Sequence, residues 1–137
     1  MSNFEAAIQR DFGLIAELIS IHAQQAPERP ALADATHELS YGALDTLMDR
    51  IAASLQRDGL AAGDSIAICA ASSVNYAAVF LGALRAGVAV APLAPGSTQA
   101  SLARMIEDAG ARILFVDQAA AEVIGPAAPD AIPRLAL

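Results

Sequence analysis

Ser65-Ile66-Ala67-Ile68-Cys69-Ala70 is a short, mostly apolar run, and the Ala71-Ser72-Ser73-Val74-Asn75-Tyr76 that follows has the polar opening of a helix. An uncharged run of this length predicts a buried strand. Serine hydroxyls accept from the free N–H groups of a first helical turn, so Ser72 or Ser73 is expected to cap a helix that continues through Ala86 and stops at Gly87. The pattern then repeats. Val88 to Leu93 predicts a second strand, and Pro95, Gly96 and Ser97 a turn with a new cap. Leu102, Met105, Ile106 and Ala109 mark the buried face of the next helix, closed by Gly110, and Arg112 to Val116 predicts a third strand. Helices of this length between strands favour parallel pairing with right-handed crossovers. The fold class is α/β: a β-α-β-α-β parallel sheet with flanking helices.

Upstream, Leu14, Ile15, Leu18, Ile19 and His22 recur at helical spacing and predict an amphipathic helix over 13–25, ended by Pro27 and Pro30. Ala31 to Asp34 and His37 to Leu39 predict two short strands joined by a hairpin-like turn. Ser40 is the expected cap of a helix whose stripe is Leu44, Leu47, Met48, Ile51 and Leu55, with Gly59 at its left-handed end. Residues 1–62 thus form a leading helix, short strands and a helix, and 63–124 the parallel unit. Gly125 to Leu137, with three prolines before Arg134, is expected to be a loop that ends on a short apolar run, more like a cut than a finished domain.

The 137 residues suit one domain with a real core, being 55% hydrophobic. The formal charge is −7, all eight basic residues are arginines and there is no lysine, a poor match for a phosphate backbone, so no nucleic-acid partner is expected. Cys69 stands alone, which rules out an internal disulfide and suits a reducing, cytoplasmic setting. The start, with Glu5 and Asp11, is unlike a signal peptide. Ile66 to Leu84 is uncharged, but its Ser72, Ser73 and Asn75 favour a strand, a cap and a buried helix over a membrane span.

The chemistry expected of a β-α-β-α-β unit is nucleotide binding, which needs glycines at the first strand–helix turn. That turn, Ala70 to Asn75, has none, and a phosphate loop of the G-x-x-x-x-G-K-[ST] type cannot exist without lysine. His22 and His37 lack metal-ligand spacing, so no metal site is expected. Cys69 follows a strand and suits a buried small hydrophobe. Glu107 and Asp108 are neighbours on a helix and point apart, as solvated charges do. The Ser72–Tyr76 segment is a helix start able to hold an anion, with capping the simpler role. No catalytic residue is assigned.

Several segments occur in a familiar order. Pro30-Ala31-Leu32-Ala33-Asp34 and Leu39-Ser40-Tyr41-Gly42-Ala43-Leu44 come first, then Gly63-Asp64-Ser65-Ile66-Ala67-Ile68. Asn75-Tyr76 with Phe80-Leu81-Gly82-Ala83-Leu84-Arg85-Ala86-Gly87 follows, then Pro92-Leu93-Ala94-Pro95, and last Asp108-Ala109-Gly110-Ala111-Arg112 with Phe115-Val116-Asp117. Together, from about Leu14 to Asp117, they resemble the opening of the acyl-CoA synthetase and adenylation-domain superfamily, the AMP-forming ligases. The resemblance implies the N-terminal lobe of that fold's large domain. It also implies an enzyme that uses ATP and Mg²⁺ to convert a carboxylic acid, fatty or aromatic, into an acyl-adenylate and then passes the acyl group to a thiol, usually CoA.

The family's catalytic signatures, a glycine-rich phosphate loop ending in P-K-G, a Y-G-x-T-E segment, a ribose-binding aspartate and a C-terminal lysine, are not in this chain. The segment alone is therefore expected to be inactive and to bind none of these cofactors by itself, its partner being the remainder of a ligase chain. Two site assignments carry over by resemblance. Arg85 matches a basic position that could approach a CoA phosphate, although a cation near a helix C-terminus is stabilising on its own. The loop Pro92, Leu93, Ala94, Pro95, Gly96 matches a segment near the acyl and pantetheine tunnel, with Ala94 where the family has asparagine. The start of an amino-acid adenylation domain of a peptide synthetase and a non-catalytic α/β module remain alternatives, and a homodimer is among the assemblies left open.

Overall fold

The computed structural model describes residues 2–125 and 133–137. In chain order the elements are α1 (Asn3–Ile8), α2 (Ile15–Gln25), β1 (Pro30–Ala33), β2 (Glu38–Ser40), α3 (Tyr41–Arg57), β3 (Ser65–Cys69), α4 (Val74–Arg85), β4 (Ala89–Leu93), α5 (Gln99–Asp108), β5 (Ala111–Val116), α6 (Gln118–Ile124) and β6 (Arg134–Ala136). The α/β class and the parallel sheet expected from the sequence are present. β1 and β2 form a separate antiparallel hairpin, with Leu32 opposite Leu39. The other four strands make one sheet in the order β4-β3-β5-β6, every pair parallel.

β3 is apolar throughout its buried length because nothing about it faces water. Its edges pair with β4 and β5, and its faces lie under helices. Ile66 and Ile68 point toward α3 and α4, where they meet Leu55, Val79 and Ala83. Ala67 and Cys69 point the other way, toward Leu102 and Ile106 of α5 and Ala120 and Ile124 of α6. The step from β3 to β4 and the step from β4 to β5 run in opposite directions across the sheet. Right-handed crossovers then require α4 and α5 on opposite faces, as the two core clusters show. A third cluster, Ile19, Leu44, Met48 and Ala78, packs α2 and the hairpin over the outer side of α3 and α4.

Caps fall mostly where polar residues precede apolar stripes. Ser40 Oγ accepts from the Ala43 N–H at 3.2 Å, and Ser73 Oγ, rather than Ser72, accepts from the Tyr76 N–H at 3.1 Å. Gly87 ends α4 at φ +74°, in the left-handed region. The cap expected at Ser97 moves one residue on, to Thr98, whose Oγ1 accepts from the Ser101 N–H. The Ser97 N–H instead donates to the Ala94 carbonyl at 3.1 Å, closing the turn over Pro95 and Gly96.

Three elements were not anticipated. α1 opens on a capping box in which Ser2 and Glu5 satisfy each other's backbone N–H groups. α6 is capped by Asp117. The loop expected over 125–137 is corrected at its end: Arg134–Ala136 is a strand parallel to β5, because Leu114, Phe115 and Val116 have a free edge there for it to pair with. Residues 126–132 of that loop lie outside the described residues.

α3 and α4 make close contact through Gly82. A Cβ there would lie 2.6 Å from Ile51 Cγ2 and 2.7 Å from Ile51 Cβ, too close to the stem of a β-branched side chain to be relieved by rotation. Gly82→Ala is expected to cost about 1–3 kcal/mol in a urea unfolding experiment. Adding Ile51→Ala is expected to cost less than the two changes summed, because the second removes the obstruction met by the first.

Candidate functional site

In an open parallel sheet, ligands bind in the crevice beyond the carboxyl ends of the strands, at the point where the strand order reverses. Here that point lies between β3 and β5. Cys69 is level with Val116 on one side and Leu93 on the other. The turn after β3 (70–73), the loop after β4 (94–97) and Asp117 after β5 therefore share one edge of the sheet.

The crevice is already filled by the chain's own anion. Asp117 Oδ2 accepts from the Ala71 N–H at 2.8 Å, and its Oδ1 accepts from the Ala120 N–H at 2.8 Å. A second carboxylate approaches the same turn from the hairpin. Asp34 Oδ2 accepts from the Val74 N–H at 2.9 Å, while Oδ1 accepts from the N–H groups of Thr36 and His37, both at 2.8 Å, and from the Thr36 hydroxyl. With Ser73 holding the Tyr76 N–H, three of the N–H groups that a phosphate could use, those of Ala71, Val74 and Tyr76, are committed within the chain. The depression beside Asp34, between Leu32 and Ala77, measures about 180 Å³, below the size of ordinary small-molecule pockets.

The electrostatics follow from these bonds. The backbone N–H of Val74, then those of Thr36 and His37, hold the Asp34 carboxyl far below the usual carboxylate range. The N–H groups of Ala71 and Ala120 lower Asp117. At the other end of the sheet the Ala61 N–H, and then Arg112, lower Asp64. Burial pushes the Cys69 thiol up, and the negative charge of Asp117 adds to it, so Cys69 is an unreactive core residue. Burial likewise raises Tyr76, with a smaller push from Cys69.

Arg85 has a structural task. Its Nη1 donates to the Asp45 carbonyl at 2.8 Å and to Asp49 Oδ1 at 3.0 Å. Its Nη2 donates to Asp45 Oδ1 at 2.7 Å, to Ser20 Oγ at 2.9 Å and to the Ala16 carbonyl at 3.2 Å. The side chain is only 15% exposed. It ties α4 to α3 and α2, a different place from the carboxyl edge. The Pro92–Gly96 segment divides. Leu93 is buried against α5, Pro92 is exposed on the edge strand, and Ala94, Pro95 and Gly96 form an exposed rim beside the β3 turn. His37 lies in the hairpin turn against Thr36, and His22 lies between the rings of Phe4 and Tyr41, at 4.7 and 4.8 Å. Among the described residues, no group of three or more His, Cys, Asp or Glu is placed to hold a metal ion. No helix there is long and apolar enough to cross a membrane.

The residues present do not fit ATP phosphates: the N–H groups of Ala71 and Val74 are taken by carboxylates, those carboxylates are the nearby charges, and lysine is absent. Asp34 and Asp117, which the sequence reading did not single out, are the residues that decide this. Their signal was there, since each is an Asp directly after a strand, with a helix or turn to follow.

The family model described as "AMP-binding enzyme" matches residues 19–135. The chain belongs to the AMP-binding enzyme family. Among curated AMP-binding relatives, the fatty acid–[acyl-carrier-protein] ligase ScoC of Streptomyces coeruleorubidus is 31% identical over 117 residues, covering 84% of this chain and 22% of ScoC. Syringomycin synthase SyrB1 of Pseudomonas syringae pv. syringae is 32% identical over 103 residues, covering 75% of this chain and 17% of SyrB1. Among solved structures, VinN in complex with L-aspartate superposes with a TM-score of 0.83 at 29% identity, covering 91% of this chain and 35% of VinN. This AMP-binding chain thus spans about a fifth of the length of these curated relatives. Its fold is that of the N-terminal segment of an adenylate-forming enzyme.

A carboxyl group whose pKa is lower in the folded than in the unfolded state contributes stability above its unfolded value, near pH 4, and loses it as pH falls through the folded value. Asp34, Asp64 and Asp117 are all lowered, so the urea midpoint is expected to hold from pH 7 to about pH 5 and to fall below pH 4. Asp117→Ala is expected to lower the midpoint at pH 7 and to reduce its fall on acidification. Arg85→Ala is expected to cost about 2–3 kcal/mol, since it leaves Asp45 half-buried without its cation.

Proposed function

We propose that this chain is the N-terminal scaffold of an adenylate-forming acid ligase, and that by itself it carries out neither half of the reaction. The observation that carries this reading is the family match over residues 19–135, taken with a carboxyl edge where Asp34 and Asp117 take the N–H groups of Val74 and Ala71. In the complete reaction a carboxylate oxygen attacks the α-phosphorus of ATP, pyrophosphate leaves, and a thiol then attacks the acyl carbonyl and expels AMP. Both steps need cationic stabilisation of phosphate charge. The chain has no lysine for that purpose, and Arg85, 15% exposed, is committed to Asp45. What it contributes is a rigid sheet edge on which the Ala94–Gly96 rim is presented.

The acid is a fatty or aromatic carboxylic acid and the acceptor is CoA in the reading that the sequence resemblance implies. A specific observation favours a carrier-protein thiol as acceptor instead. The relative ScoC is named for ligation of a fatty acid to an acyl-carrier protein, and Arg85, which the resemblance assigns to a CoA phosphate, already has partners on α2 and α3. VinN, solved in complex with L-aspartate, keeps amino acids within the substrate range of this fold.

ATP–pyrophosphate exchange, run on the purified 137-residue chain with fatty, aromatic and amino acids, is expected to stay at the no-enzyme background, and ATP with Mg²⁺ is expected to leave the melting temperature unchanged. Exchange above background with any acid would overturn the scaffold reading.

A further inference from the structure

The parallel pairing of β3 with β5 is interrupted near its amino end. Between the pairs Ser65–Ala111 and Ala67–Leu114, β3 advances two residues while β5 advances three. One residue of β5 is therefore extra, and a bulge of this kind re-aims a side chain. Ala111 and Leu114 lie in the core cluster under α5 and α6, Ile113 and Phe115 in the cluster under α3 and α4, and Arg112 in neither. Arg112 stands at the amino end of the sheet, opposite the carboxyl edge. Its Nη1 donates to the Gly59 carbonyl at 2.9 Å and to Asp64 Oδ2 at 2.8 Å. Both bonds use the same nitrogen. Among the described residues Nε and Nη2 have no partner, which leaves open the edge of the guanidinium that carries two parallel N–H groups.

Arg112 lines a cavity of about 520 Å³, within the range of ordinary small-molecule sites. Leu60, Ile113, Pro133 and Leu135 supply apolar walls, and Asp58 a second charge. The Asp58 carboxylate lies 3.9 Å from Arg57 Nε, beyond hydrogen-bond distance, and no ion pair joins it to Arg112. One cavity thus presents a carboxylate without a donor, a guanidinium edge without an acceptor, and hydrocarbon. We propose that it is a binding site for a free α-amino acid with an apolar side chain. The ligand's carboxylate meets the Nε–Nη2 edge of Arg112, its ammonium meets Asp58, and its side chain packs against Leu60, Ile113 and Leu135. Charge complementarity selects this class. A simple organic anion would pair with Arg112 but face Asp58 and Asp64, and a simple amine would pair with Asp58 but face Arg112. A zwitterion satisfies both groups and adds no net charge to a chain that carries −7. The side chains of Arg112 and Asp58 are 48% and 45% exposed, so solvent screens both contacts and Kd is on the order of a millimolar. The site is independent of the ligase reading, since it uses nothing at the carboxyl edge.

Amide proton–nitrogen NMR spectra of the 137-residue chain, titrated with L-leucine at neutral pH, test this. The expected result is saturable shifts at the amides of Gly59, Leu60, Ile113 and Leu135, half-complete at a concentration on the order of a millimolar. Isocaproate and isopentylamine, which are leucine without its ammonium and without its carboxylate, are each expected to bind at least several-fold more weakly. Glycine, which lacks the apolar side chain, is expected to do the same. Arg112→Gln also releases Asp64 and so disturbs the fold, which makes two exposed positions the better variants. Asp58→Asn is expected to reduce leucine to the level of isocaproate with an unchanged thermal melt. Leu135→Ser is expected to weaken leucine and leave glycine unaffected. No saturable shift at these amides, leucine no tighter than either analogue, or leucine binding untouched by Asp58→Asn would each overturn the proposal and leave the scaffold reading standing. Shifts confined to the turn after β3 (70–73) would overturn the proposal and count against the scaffold reading as well.

Discussion

Asp117 is bonded to two backbone N–H groups, and much of the molecule's arrangement depends on that carboxylate. It closes the crevice between β3 and β5, fixes the turn from which α4 departs, and caps α6. In nucleotide-binding sheets the same position belongs to a phosphate, drawn by free N–H groups and the positive end of a helix. Here the charge is supplied from within, and Asp34 supplies a second one from the hairpin. Two carboxylates thereby stand at the edge that would otherwise attract a ligand's anion. An internal anion also serves rigidity: the turn's geometry is held whether or not anything is bound, which suits a part whose task is to present neighbouring segments.

The outer layer is held in a different way. Apolar burial joins α2 and the hairpin to α3 and α4, but apolar contacts are not directional and leave the helices' register loosely set. Arg85 supplies direction. Its planar fork reaches a carboxylate on α3, a hydroxyl on α2 and two backbone carbonyls, so a shift of either helix would break several bonds together. Gly82, one turn earlier on α4, lets α3 approach closely enough for that fork to reach. Among the described residues no buried side-chain polar atom lacks a partner, so the network is complete as well as partly buried.

The central sheet was legible because its strands are short, mainly apolar runs and its helices have one apolar face each. β3, α4, β4, α5 and β5 stand within a residue or two of their expected bounds. What escaped was either too short for periodicity or dependent on a partner distant in the chain. α1 has six residues, and its signal was local chemistry, the Ser2–Glu5 spacing, rather than a stripe. β6 has three, and is a strand because β5 has an edge to offer. The site followed the same division. That the β3 turn holds no glycine and the chain no lysine could be seen directly; that Asp117 reaches back 46 residues to Ala71 could not, since a carboxylate after a strand caps many things. Arg85 was visible as a cation at a helix end, but its five bonds come from residues 36 to 69 positions away.

The strand order has a consequence for how the chain is made. β3 is the middle of the sheet but is synthesised before both of its neighbours. At about 5–20 residues per second, several seconds separate Cys69 from Val116 on the ribosome. Throughout that interval Ile66, Ala67 and Ile68 have no lasting neighbour on the β5 side, and α5 and α6 are not yet available to cover Ala67 and Cys69. An uncharged strand waiting in that state is a natural substrate for chaperones and a natural seed for aggregation. The delay before the third strand emerges is therefore a hazard to the chain that the finished stability of the sheet does not measure.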